Sequence, residues 1–264
     1  MGVALVVCTT SLALGYRRAP VEGAPGRYQF WPQRTIHYRI NRRSSPGSPS
    51  ELTGAIKRSF FAWSSPSCTD LYPVHDGTTS STETNLTLPS TGAIDRVNTL
   101  VFRDSWPPAG VSDPAISELM PAVTTVVYDS ATGEILDADI DVNVQDYRWT
   151  LGDDKIELDL QSVLTHEIGH LLGLAHSDNP AATMYPQVKA GQIHKRVLAA
   201  DDLLGLCAVY PFGAVTPAGA GEGTVPQPTG CSVTGNFSMG WIWLLLLLSL
   251  RLFMNFRRHA EYSA

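Results

Sequence analysis

Basic residues are too few and too scattered to form a binding face. Lys and Arg total 19 against 25 Asp and Glu, the formal net charge is -6, and no cluster marks out one surface. That balance excludes nucleic acid as a partner. Cysteine is sparse as well, with four residues, so the chain is not a disulfide-scaffolded miniprotein. The apolar N-terminal run GVALVVCTTSLALG has no Lys or Arg before it. It reads either as the core of a secretory signal whose true start lies further upstream, or as a plain apolar leader, and residues 1–27 are assigned to it. Export is the expectation. Residues 77–91 hold few large apolar side chains and read as a surface loop.

What is present suffices for one domain: 264 residues with 44% apolar content can bury a single core, expected over residues 28–212. Ile36, Tyr38 and Ile40 alternate with polar residues as in a half-buried strand. Leu52, Ala55, Ile56, Phe60 and Trp63 recur at three and four positions, which predicts a helix over 51–63 capped by Ser50. Short strands are expected at 71–74 and 99–102. A hairpin is expected from 124–128 and 135–144, in which Asp137, Asp139 and Asp141 form an acidic row facing water or a cation. Helices are predicted at 159–172, stopped by Gly173, and at 199–209, ending before Pro211. Cys68 and Cys207 both fall in the folded part, and either pair in an oxidising compartment or stay as buried thiols.

The chemistry sits in one string, His166-Glu-Ile-Gly-His170-Leu-Leu-Gly173-Leu-Ala-His176. Residues four apart on a helix share a face, so His166 and His170 can aim at one ion. Gly173 allows a positive φ, and the chain can turn there to bring His176 in as a third ligand. Three protein ligands leave a fourth position for water, the arrangement of catalytic rather than structural zinc, and Glu167 stands where a general base is needed.

HEIGHLLGLAHS followed by ATMYP resembles the metzincin clan of zinc endopeptidases, with Met184 in the Met-turn position. Ser177 after the third His and Pro186 two residues after Met184 are similar to the matrixins (matrix metalloprotease type) rather than the astacins. LAADDLLG, beginning at Leu198, is similar to the matrixin C-terminal helix. The resemblance implies an α+β metzincin fold. Its sheet would be twisted, five-stranded and mostly parallel with one antiparallel edge strand, and its three main helices would include an active-site helix followed by the Met-turn. It also implies one catalytic Zn2+ and protein or peptide substrates. A substrate would add to the edge strand, with Thr124, Val126 and Tyr185 as contacts, and residues 186–197 would wall the pocket for the side chain that follows the cut bond. Two departures from the matrixins are expected: nothing in residues 1–27 resembles a propeptide with a zinc-blocking cysteine, and the hairpin offers Asp137, Asp139 and Asp141 but no histidines for a second zinc site. Ca2+ on the acidic row and a solvated acidic strand both stay open.

Residues 213–230 are Pro, Gly and Ala rich and read as a linker. Residues 231–264 carry Cys231, the run WIWLLLLLSL and a basic end, an order that resembles MYXO-CTERM sorting tails. Such a tail is removed near Cys231, leaving it as an anchoring point. The alternative is a permanent membrane span with a cytoplasmic end. The expected protein is a monomeric endopeptidase, exported, handled by sorting machinery and tethered to the cell envelope. Two rivals are a zinc-holding adhesion protein without catalysis and a peptidase confined to its own export partners.

Overall fold

Alternation of apolar residues along a few segments, each bounded by Gly, Pro or Asn, produces a sheet with helices packed on one face. The computed structural model describes residues 15–82, 84, 94–108 and 120–216. In chain order these form β1 (Arg17–Arg18), β2 (Thr35–Asn41), α1 (Pro49–Ser64), β3 (Tyr72–Thr79), β4 (Thr99–Arg103), β5 (Ala122–Tyr128), β6 (Ile135–Asn143), β7 (Trp149–Thr150), β8 (Leu158–Asp159), α2 (Leu160–Leu171), β9 (Leu174–Ala175), a short 3-10 turn His194–Arg196 and α3 (Ala200–Val209). The main sheet runs β3-β2-β4-β6-β5. All its neighbours are parallel except β5, which lies antiparallel to β6 at the edge. The described residues belong to one unit, Met1–Val225. Among them no helix is long and apolar enough to cross a membrane.

The apolar stripe of α1 is buried as its spacing predicts, but the helix begins two residues earlier than expected. Ser48, not Ser50, is the cap: its hydroxyl accepts from Glu51 N at 3.3 Å, while Glu51 Oε2 accepts from Ser48 N at 2.9 Å. This reciprocal pair satisfies two otherwise orphaned donors, and Pro49 fits the first turn because it has no N–H to lose. The helix lies across α2, where Trp63 Nε1 donates to Thr165 O at 2.7 Å and Tyr38 of β2 stacks on Phe60 at 4.0 Å. Full burial of side chains such as Trp63, Leu164 and Ile168 contributes about 1.5–3 kcal/mol each. The helices thereby form a rigid platform for the site.

Three further expectations are corrected. The loop expected from residue 77 starts later, because β3 runs on to Thr79; Gly77, at φ +91°, sits where the pairing with β2 shifts register between Tyr38 and Ile40. The acidic row is not solvated: Asp137, Asp139 and Asp141 are all buried. Both faces of β6 are covered, a fact that strict alternation cannot convey. Asp141 pairs with Arg103 at 2.6 Å and accepts from Thr84 Oγ1 at 2.8 Å, and Asp139 accepts from Thr99 N at 2.7 Å. Finally, the fold begins before residue 28. Tyr16 and Val21 are buried, β1 pairs with β9, and Ala19 N donates to Gly173 O at 2.8 Å.

Cys68, just beyond α1, is joined to Cys207 of α3 in a disulfide with 5.4 Å between Cα atoms. The bond closes a segment of 139 residues and stabilises by roughly 2–4 kcal/mol, chiefly by restricting the unfolded chain. Residues at the start of the expected linker are also tied down, since Arg34 Nη1 donates to Thr216 Oγ1 at 2.6 Å. Cys8, Cys231 and the tail 231–264 lie outside the described residues.

Candidate functional site

Asp159 caps α2 by accepting from Ser162 N at 2.7 Å, and Arg196 clamps that carboxylate from the opposite side. The helix then runs buried for nearly its whole length and stops at Gly173, whose φ is +81°. A Cβ at 173 would stand 2.5 Å from Gln29 O, so glycine is needed for the turn and for the close approach alike. Two residues of β9 follow, and His176 returns toward the helix.

The three histidines converge. His170 Nε2 lies 3.2 Å from both His166 Nε2 and His176 Nε2, and one ligand atom from each ring falls within 4.8 Å of the others. His166 Nδ1 donates to Thr183 O at 2.7 Å, and His170 Nδ1 donates to Leu174 O at 2.9 Å. A carbonyl can only accept, so the proton of each of these rings sits on Nδ1 and the Nε2 lone pairs face inward. Desolvation lowers all three histidines below their ordinary value, and the neighbouring charge of Lys195 adds to it. Neutral imidazoles with lone pairs crowded at this spacing repel one another unless a cation lies between them. The donor set is compatible with zinc, which favours imidazole nitrogen in a site with an open position.

Glu167, on the same helix, is buried, and burial pushes its carboxyl up to about 7, while the Thr124 hydroxyl and the charge of Lys195 pull it down. Thr124 Oγ1 donates to Glu167 Oε2 at 2.6 Å, so β5 fixes the orientation of the carboxylate. A cleft of about 430 Å3 runs past these groups between β5 and α2, lined among others by Thr124, Val126, Val163, Pro186, Val188 and Lys195. Tyr185 is not among its lining residues; its carbonyl accepts from Lys195 Nζ instead.

Below the histidines lies Met184, buried and pressed against the helix at Gly169. A Cβ on residue 169 would meet Met184 Sδ at 2.2 Å and the Trp63 ring at 2.8 Å. Gly169→Ala therefore gains helix propensity worth about 1 kcal/mol but overpacks the floor at a typical cost of about 1–3 kcal/mol. A net loss of stability in urea denaturation is expected, with weaker zinc retention. The turn itself is held by α3. Asp202 accepts from Thr183 N and Met184 N at 2.7 and 3.0 Å, and Asp201 Oδ2 accepts from Ser177 Oγ at 2.6 Å. The supporting roles of Gly169, Asp201 and Asp202 and the placement of Lys195 are not apparent from the histidine spacing. The one visible signal was the acidic pair opening the last helix.

Residues 123–211 match the Matrixin family. The five-stranded, mostly parallel sheet with its three helices is consistent with the matrixin metzincin fold. Metalloendoproteinase 1-MMP of Arabidopsis thaliana is 28% identical over 182 residues, which is 68% of this chain and 44% of that protein. Human matrix metalloproteinase-20 is 28% identical over 180 residues, covering 68% of this chain and 32% of that protein. Human matrilysin is 35% identical over 86 residues, 33% of this chain and 32% of the relative. The chain thus spans less than half the length of these curated relatives, and its matrixin-like character rests on the segment that carries the three histidines.

Proposed function

We propose that the chain is a zinc-dependent endopeptidase with His166, His170 and His176 as metal ligands and Glu167 as general base. The observation that carries this reading is the meeting of three inward Nε2 atoms beside a buried carboxylate that Thr124 holds in place. Bound there, zinc supplies a Lewis acid that acidifies water and polarises a peptide carbonyl. Thr124 occupies Glu167 Oε2, leaving Oε1 to accept a proton from the attacking water and return it to the leaving amine. Among the described residues no strand lies beside the outer edge of β5, so an extended peptide can add there through main-chain hydrogen bonds, with Thr124 and Val126 beneath it. Met184 and Gly173 keep the ligands in register, and Pro186 shapes one wall.

Casein cleavage by the full chain, read alongside metal analysis, tests the assignment. One zinc per chain is expected, with cleavage abolished by a hydroxamate chelator and restored by added zinc. A chain that binds zinc stoichiometrically yet cleaves neither casein nor any peptide of a random library would leave the adhesion reading in its place.

The buried acidic row has a further consequence. Burial and the neighbouring carboxylates push Asp137 up to about 7 and Asp139 up to about 9, and Asp137 Oδ1 has no hydrogen-bond partner among the described residues. A carboxyl whose folded value is raised stabilises the fold fully below its unfolded value near 3.8, and loses that contribution as pH rises through the folded value. Thermal unfolding checks it: Asp139→Asn is expected to raise Tm over the parent at pH 8.5 and much less at pH 5.

Export and tethering through residues 231–264 complete the proposal, supported by the apolar run after Cys231 and by a disulfide of the kind that persists in oxidising compartments. Cell fractionation should place the full chain with the envelope and a chain ending at residue 230 outside it.

A further inference from the structure

The cleft contains one cation that the chemistry above does not use. Lys195 lies in the 3-10 turn His194–Arg196, is 2% exposed, and lines the cleft together with Val163, Pro186, Val188 and Glu167. The rest of that wall is mainly apolar, and Lys195 is the only Lys or Arg among the described residues lining it. An ammonium carries three N–H donors. Here, among the described residues, Tyr185 O is its one hydrogen-bond acceptor and no carboxylate comes within ion-pair distance, although Asp202 and Glu167 attract its charge from further off. Burying a charge with so few partners is costly unless something completes its shell.

The neighbouring residue is used differently. Arg196 donates to Asp159, Asp153 and Gly152 O, and so fastens the turn to the start of α2. With Arg196 fixing the backbone, Lys195 is aimed inward on a short rigid segment rather than left to reach solvent. An exposed lysine would swing out to be hydrated. This one is held where a substrate side chain must enter if the peptide lies along β5 with its scissile bond beside Glu167.

We infer that Lys195 is a specificity-determining residue, and that the recess it lines selects a peptide whose side chain beside the cut bond carries a carboxylate, with glutamate preferred. This rests on the endopeptidase reading and adds the substrate class. A glutamate carboxylate supplies the acceptor that the ammonium lacks, whereas its amide isostere offers only a neutral oxygen. An apolar side chain fills the space but offers the ammonium no acceptor. The difference between a charge-assisted and a neutral hydrogen bond amounts to about tenfold or more in kcat/KM.

The test is cleavage of a peptide library randomised on both sides of the scissile bond, using the full zinc-loaded chain and mass-spectrometric readout, followed by matched peptides differing only as Glu, Gln or Leu at the selected position. The expected result is Glu enriched at one position flanking the cut, with kcat/KM for the Glu peptide about tenfold or more above that for the Gln peptide. In Lys195→Gln that ratio should collapse toward one, with zinc content measured to show that the site is intact. A parent that favours apolar side chains, or treats Glu and Gln alike, overturns the inference without any variant being made. So does a Glu preference that survives Lys195→Gln. Absence of any cleavage sensitive to Glu167→Gln is a different failure, because it removes the peptidase reading itself.

Discussion

Glu167→Gln is expected to lower kcat/KM by about 10²–10⁴ while zinc content and thermal stability stay close to those of the parent. Glutamine has nearly the same shape, and its amide oxygen can still accept the Thr124 hydroxyl that now bonds Oε2 at 2.6 Å. The three Nε2 atoms and the Nδ1 bonds to Thr183 O and Leu174 O are untouched by the exchange. What disappears is the ability to take up a proton beside the open position of the metal. Steady-state kinetics on one peptide, with zinc assayed on the same samples, separates this outcome from unfolding. Retention of more than about a tenth of the activity would mean that another group moves the proton, since a general base is ordinarily worth more than that.

Asp202→Ala should be the most damaging substitution outside the histidines. The carboxylate is 1% exposed and accepts from Thr183 N, Met184 N and Ala199 N at 2.7, 3.0 and 2.9 Å. Alanine leaves three donors without their acceptor. At about 1–3 kcal/mol for each buried unsatisfied group, a loss on the order of 3–5 kcal/mol follows even after partial rehydration. The effect reaches the metal, because the Thr183 whose N–H is released also presents the carbonyl that orients His166. Partners that orient a ligand typically contribute about 10–100-fold in metal affinity. Chelator competition and chemical denaturation on the same variant should both shift. Asp202→Asn, which keeps one acceptor oxygen, should fall between parent and alanine. A shift in only one of the two measurements would uncouple the last helix from the site.

The convergence of the three histidines was largely legible because its geometry is local. Helical pitch sets His166 against His170, and a single glycine with positive φ determines how His176 returns. The sheet was legible in outline, since each strand declares itself by alternation. Features that depend on what lies above a strand were not. Asp137, Asp139 and Asp141 alternate as a solvated row would, yet all three are buried, Asp141 accepts from Thr84, and Asn98 accepts from Ala138 N beside them, contacts that the local pattern does not record. Gly169 resembles any small residue in a helix until Met184 is seen against it. The start of α1 was misplaced because Ser48 and Ser50 are equally good caps by type, and only the return bond from Glu51 distinguishes them.

The pairing of Arg17–Arg18 with Leu174–Ala175 means that the third histidine is steadied by a strand supplied from the far end of the chain. Cutting the protein at residue 28, where the pattern of the sequence invites a clean boundary, would strip away that brace together with the bond from Ala19 N to Gly173 O. A domain prepared that way should retain added zinc more weakly for want of a splint, with all three histidines still present.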